Sequence, residues 1–325
     1  MLPPLADLVD SARVVALPMA ARFRGVDVRE ALLFEGPEGW AEFSPFIEYE
    51  DAEAATWLAA AIDFAWTPQP APVRDRIGVN ATVPAVPASQ VAAVLARFAG
   101  CRTAKVKVAE PGQTLADDVA RVRAVREAMG PEGRIRVDAN GAWNVDEAEH
   151  AVHALAECDL EYVEQPCATV PELAELRRRV KYMGIPVAAD ESIRKSSDPL
   201  AVARAGAADL IVIKAQPLGG VTHALQIVTA AGLPAVVSSA LDTAVGLSQG
   251  AALAAALPSL EYDCGLGTAS LFLDDVADRR PVDGSIPAGR VTPGAATIDR
   301  LAASDERRDW WMARLARCHE VLAAR

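Results

Sequence analysis

Three acidic residues close three successive β-rich runs of this sequence: Asp138 ends the run 134–138, Glu164 ends 160–164, and Asp190 ends 186–190. Lysines stand on either side. Lys105 and Lys107 sit at the end of the run before, and Lys214 ends the run after. Three carboxylates converging on one point repel unless a cation lies among them. Oxygen-only donors suit a hard divalent ion, Mg²⁺ first, with Mn²⁺ as the alternative. Taken singly, each acid would fit a helix N-cap or a surface ion pair. In series at strand ends they form a candidate metal set. Glu191 is adjacent to Asp190, so either could be the third ligand, and the other is expected to pair with a lysine. Lys105 and Lys107 share one face of their strand. Two ammonium groups that close lower each other's pKa, which suits a lysine to general-base work near neutral pH. Lys214 is open to three readings: a Schiff base, a second acid or base, or a fixed cation beside developing negative charge. The four histidines (150, 153, 223 and 319) fall in helical stretches, which argues against a histidine base and against zinc. Ser238 and Ser239 close the next run. Gly265-Leu266-Gly267-Thr268 follows the last one, where barrels commonly bind anionic groups.

These residues need elements to hold them. Eight short runs, centred near 79, 106, 137, 162, 188, 212, 236 and 261, alternate with Ala-rich helical segments. That rhythm predicts βαβ units, a parallel sheet and closure into an α/β barrel. Helices are expected over 114–129, 145–157, 171–182 and 198–205, the last with Pro199 at its first turn. Residues 243–260 lack charge but are alanine-rich and short, so a buried helix is expected and no membrane span. The first 75 residues break the rhythm. Stretches 11–17, 27–34 and 39–43 predict a three-stranded meander with a turn at 36–39, followed by a helix over 51–66 and a Pro-rich linker. The tail from about 270 to 325 ends in a polar helix. The expected plan is an α+β capping domain (1–75, joined by the tail from about 270 to 325) and a barrel (76–270) that carries the site.

Composition sets the outer limits. The chain has 325 residues, 51% hydrophobic, and a net charge of −12, which excludes bulk disorder and argues against nucleic acid or an anionic membrane as partner. Five scattered cysteines read as free thiols of a reducing, cytoplasmic setting, and the first ten residues do not form a secretory signal.

The ordered set Lys105-Val106-Lys107, Asp138-Ala139-Asn140, Glu164-Gln165-Pro166, Asp190-Glu191-Ser192 and Lys214 behind a small cap resembles the enolase superfamily. Two lysines and no histidine base resemble its muconate-lactonizing subgroup. The resemblance implies a modified (β/α)8 barrel of the (β/α)7β type. It also implies Mg²⁺ on Asp138, Glu164 and Asp190, with Asn140 and Glu191 behind the ligands. It makes Lys107 the general base, has Lys105 tune it, and sets Lys214 on the opposite face. The implied partner is a small-molecule carboxylate held by Ser238, Ser239 and Gly265, with the cap loop 20–25 and Arg24 closing over it. Phe23-Arg24-Gly25 with Val28-Arg29-Glu30 in the cap, Lys214-Ala215-Gln216-Pro217-Leu218-Gly219-Gly220, Ser238-Ser239-Ala240-Leu241-Asp242-Thr243 and Cys264-Gly265-Leu266-Gly267-Thr268 resemble the members that eliminate water from a ring to leave an aromatic acid. Epimerases of the subgroup carry Asp-x-Asp at the last strand, whereas Glu261-Tyr262-Asp263-Cys264-Gly265 stands here. An N-acylamino-acid racemase is the alternative enzyme. A barrel kept only as a binding or scaffold protein would show damage to the lysine–carboxylate set, and none is visible.

Overall fold

The computed structural model of the chain describes residues 2–23, 25–194 and 198–325. Leu5–Ser11 (α1) leads into three antiparallel strands, Arg13–Phe23 (β1), Val26–Gly36 (β2) and Gly39–Phe43 (β3), ordered β1-β2-β3. Gly36 pairs with Gly39 around Pro37-Glu38, and Gly39 takes φ +114°, a conformation open to glycine. The meander packs on Asp51–Trp66 (α2), whose buried Trp57, Leu58, Ala61 and Phe64 recur at helical spacing. The first two strands run longer than expected, and β1 carries the chain to Phe23 at the rim of the barrel.

The barrel helices start where the sequence indicates. Thr114, Asn144 and Thr169 each cap a helix and exchange hydrogen bonds with the acid three residues on. The helices are Leu115–Met129 (α4), Val145–Leu155 (α5) and Val170–Val180 (α6), following the short Val91–Leu95 (α3). The last two end earlier than expected, in single 3₁₀ turns. The helix expected over 198–205 shrinks. Glu191–Arg194 (α7) forms directly after Asp190, and within 198–205 only Ala201–Arg204 (α8) is helical. Asp198 Oδ1 accepts from the Leu200 amide, which sets Pro199 ahead of the helix rather than in its first turn. Val221–Ala231 (α9) and Ala244–Ala256 (α10) complete the ring. α10 is buried on nearly every side, as its mostly apolar, uncharged sequence requires, with Ser248 and Gln249 hydrogen-bonded to the carbonyls of Ala244 and Ala60. Among the described residues no helix is long and apolar enough to cross a membrane.

Seven parallel strands form one sheet. In chain order they are Ala81–Val83 (β5), Thr103–Lys107 (β6), Arg134–Asp138 (β7), Leu160–Glu164 (β8), Val187–Ala189 (β9), Leu210–Ile213 (β10) and Ala235–Val237 (β11). Two of the eight expected strands are corrected. The first, 77–80, is split. Arg76–Gly78 (β4) pairs antiparallel with Ser285–Pro287 (β12), and β5 enters the sheet instead. The eighth, 260–263, is replaced by Cys264 and Gly265, which bridge Val79 and Ser238 and so close the ring. Asp263 explains the displacement. Its carboxylate accepts from Thr103 Oγ1 and Arg134 Nη2, both at 2.6 Å, and holds the chain at the opposite rim. Inside, Arg136 is fully buried between the rings of Tyr162 and Tyr262, 4.8 and 5.8 Å from their centroids. Leu210, Val212 and Val236 fill the space beside them.

The tail returns through Ala295–Arg300 (α11) to Asp305–Ala323 (α12), which packs on α2. Buried Arg314 donates to the carbonyls of Phe46 and Tyr49. Two acids sit where the meander, the tail and α10 meet. Asp275 accepts from the Ala244 amide, and Asp242 precedes α10. Burial pushes both carboxyls up to about 7, with the charge of Glu42 adding to Asp242. The folded chain therefore binds protons that the unfolded chain, with carboxyls near 3.9, has released. Their contribution to stability is complete in acid and is lost as pH rises through 7. With EDTA present, the melting temperature should be lower at pH 8 than at pH 6 by roughly 5 °C. A higher melting temperature at pH 8, read by differential scanning calorimetry, contradicts this.

Candidate active site

Strand register builds the site. Lys107 lies opposite Asp138, and Asp138 opposite Glu164, so three neighbouring strands end in one charged row. Asp190 follows β9 directly. Asn140 and Gln165, two residues and one residue past their carboxylates, take φ of 48° and 36°. Such left-handed turns in non-glycine residues need surrounding support. The Asn140 amide donates to Asp138 Oδ1 at 3.0 Å. Gln165 Oε1 accepts from the amides of Asp190 and Ser192, and its Nε2 donates to Ser192 Oγ. That glutamine ties two carboxylate-bearing strand ends together.

All three acids and all three lysines are buried. Lys105 Nζ donates to Asp138 Oδ2 at 2.9 Å and to Glu164 Oε1 at 2.8 Å. Lys107 Nζ donates to Asp138 Oδ2 and Asn140 Oδ1, both at 2.6 Å. Lys214 Nζ donates to Asp190 Oδ2, and Arg194 Nε to Asp190 Oδ1. Lys107 and Lys214 rise from strands four places apart in the sheet and line the same cavity, together with Phe23, Ser238, Ser239 and Gly265. A Cβ on Gly265 would lie 2.4 Å from Ser238 Oγ, so the glycine permits this close approach. Ser239 Oγ is engaged with Gly265 O and Thr268 Oγ1, both at 2.9 Å. Arg24 lies outside the described residues. A larger open cavity between α2 and α9 shares only Arg194 with this site and has no lysine in its lining.

Two electrostatic expectations are corrected. Lys105 is not lowered by its twin. Burial works against the Lys105 ammonium, but Asp138 and Glu164 outweigh it and hold its pKa well above the usual value. The lowered lysine is Lys214, where burial outweighs the attraction of Asp190. Glu191 pairs not with a lysine but with Arg194 Nη2 at 2.6 Å and Asn140 Nδ2 at 3.1 Å. The helix α7 turns it that way, three residues from its arginine. Burial opposes ionisation of Asp138 and Asp190, yet Lys105 and Lys107 hold the first well below the carboxylate range. Lys214 and Arg194 bring the second to about 2. Glu164 is the exception. Burial, then the charge of Asp138, pushes it up to about 7.

The donor set suits a hard cation. Among the described residues no three acidic, His or Cys side chains stand ready-made around an ion, because ammonium groups hold the carboxylates where they are. Glu164 Oε2 and Glu191 Oε2, however, are buried without a hydrogen-bond partner. Buried oxygens rarely go unpaired, and a divalent ion would satisfy that of Glu164. Two further residues belong to the arrangement. Arg194 was legible as the i+4 partner of Asp190. Fully buried Arg121 was legible as the i+3 partner of Asp118, and its Nη1 grips the Lys107 carbonyl at 2.8 Å.

Comparison with known proteins follows the same lines. Residues 88–295 match the family described as "Enolase C-terminal domain-like", and residues 14–65 match "Enolase N-terminal domain-like". The chain is 56% identical over 322 residues to an o-succinylbenzoate synthase of Mycolicibacterium smegmatis, covering 98% of each chain. It is 57% identical over 324 residues to an o-succinylbenzoate synthase of Mycobacterium tuberculosis, covering 99% of this chain and 98% of the relative. Among solved structures it resembles muconate lactonizing enzyme from Pseudomonas putida, with a TM-score of 0.72 and 20% identity over 90% of this chain and 98% of that one. It also resembles an N-succinyl Arg/Lys racemase from Bacillus cereus, with a TM-score of 0.75 and 19% identity over 90% and 97%. At that identity the two structures speak to the fold alone.

Proposed function

This chain belongs to the enolase superfamily, and from that premise we propose that it is an o-succinylbenzoate synthase, a hydro-lyase of menaquinone biosynthesis. The reaction removes water from 2-succinyl-6-hydroxy-2,4-cyclohexadiene-1-carboxylate and leaves 2-succinylbenzoate. The observation that carries the reading is full-length identity of 56–57% to synthases. A complete lysine–carboxylate set supports it.

Asp138, Glu164 and Asp190 would hold Mg²⁺, with Mn²⁺ as the substitute, and Asn140 and Glu191 would steady them. A bound divalent ion would neutralise the carboxylates and supply the positive charge that the substrate carboxylate needs when its α-proton leaves. Lys107 Nζ, which lines the cavity, takes that proton from the ring carbon. The C–O bond to the neighbouring carbon breaks, the new C=C completes the aromatic ring, and Lys107 returns the proton to the departing hydroxide on the same face. Lys105, below it, holds Asp138 and Glu164 and keeps the base in place. Lys214 faces the opposite side of the ring plane as a cation. Ser238, Ser239 and Gly265 shape the wall for the substrate, with Arg24 assigned to the succinyl tail. With these free thiols, the reaction belongs in the cytoplasm.

Lysines on both sides of one cavity also favour a second reading, proton exchange at the α-carbon of an N-acyl amino acid. One NMR experiment in D₂O separates them. The synthase reading expects the diene to become an aromatic product with release of water. An unchanged diene, with deuterium entering the α-position of an N-succinyl amino acid, would replace it with the racemase.

A further inference from the structure

The substrate-facing segment 238–241 is held from two directions. The barrel fixes its start, through Ser238 N to Ile213 O and Ser239 N to Gly265 O. The other end is fixed from the cap. Arg29 of β2, only 3% exposed, crosses the junction and donates from Nε to Leu241 O at 3.1 Å and from Nη2 toward Ala240 O at 3.5 Å. On the cap side the same guanidinium grips Ser44 O and Ser44 Oγ and lies 4.5 Å over the Phe46 ring. Leu241 takes φ +64°, a left-handed conformation that a leucine keeps only when its surroundings impose it. Glu42 of β3 secures the next residues, accepting from the amides of Thr243 and Gly246 at 3.0 Å. A Cβ on Gly246 would stand 2.6 Å from that carboxylate, so the helix start is built to take it.

Ala240 and Leu241 line the cavity, whereas Arg29 does not. We propose that Arg29 is a positioning residue for substrate selection: it imposes the shape of the wall at Ala240–Leu241 from across the cap–barrel junction. The wall follows β11, whereas Lys107 stands on β6. It contacts bound substrate and transition state alike, and interactions of that kind appear in KM rather than kcat. Lysine keeps the charge at 29 but has no planar fork to hold two carbonyls at once. The kinetic side of this inference rests on the synthase reading, while its structural side does not.

Two measurements test it, on full-length wild type, Arg29→Lys and Arg29→Met. Hydrogen-exchange mass spectrometry of the free enzyme should show amides of 239–243 exchanging about tenfold faster or more in both variants, with the 103–108 segment unchanged. With the cyclohexadiene, KM should rise about tenfold or more while kcat stays within about threefold. Arg29→Lys keeps the test available if Arg29→Met fails to fold. Unchanged exchange at 239–243 overturns the proposal whatever the substrate. So does a fall in kcat at unchanged KM. A wild type that leaves the diene untouched would fail the synthase reading, and the exchange result would still decide the role of Arg29.

Discussion

Lys107→Ala should lower kcat on the cyclohexadiene by about 10⁴-fold, with KM changed far less. The proton to be removed is held by a carbon next to a carboxylate, and the other two lysines of the cavity are placed for other work. Lys105 is locked by Asp138 and Glu164 at 2.9 and 2.8 Å, with its pKa held up by them. Lys214 donates to Asp190 on strand ends across the barrel. Lys107→Arg should be as inactive as the alanine variant, because a guanidinium does not release its proton in this range. Single-turnover absorbance measurements check both. A variant that keeps more than about a tenth of wild-type kcat would take the base role away from Lys107.

Glu164→Gln should weaken Mg²⁺ binding by at least about 100-fold and reduce turnover in proportion at limiting metal. Of the three proposed ligands Glu164 is the one that burial pushes up, and its Oε2 has no partner, so it has most to gain from a cation. The amide keeps the shape and one acceptor oxygen but removes a negative charge from the donor set. Calorimetric titration with Mg²⁺ gives the affinity without relying on activity. Wild-type affinity in this variant would remove Glu164 from the ligands.

Much of this site could be read in the sequence because a barrel converts strand order into geometry. Acids that close consecutive runs must end side by side, and the register Lys107–Asp138–Glu164 does so. The helix caps were local as well, with Thr114, Asn144 and Thr169 signalling their own helices. Errors came where distant residues decide. The first and last expected strands were displaced because β4 found β12, more than 200 residues on, and because Asp263 was drawn to Thr103 and Arg134. The mutual lowering of Lys105 and Lys107 follows from two ammonium groups considered alone, and carboxylates from two other strands reverse it at Lys105. The sequence pairs Glu191 with a lysine because the direction of α7 is not written in Asp190-Glu191-Ser192. Arg29 shows the limit most clearly. It reaches a carbonyl 212 positions away, and nothing in its neighbours names that partner.

On the proposed reading, this protein dehydrates the cyclohexadiene with the help of a divalent ion. The most direct test follows the diene absorbance band of 2-succinyl-6-hydroxy-2,4-cyclohexadiene-1-carboxylate with purified wild-type enzyme and Mg²⁺. The band should disappear with rapid turnover, stop on addition of EDTA, and resume with excess Mg²⁺. A band that persists with Mg²⁺ bound, or that decays equally well in EDTA, would contradict the account.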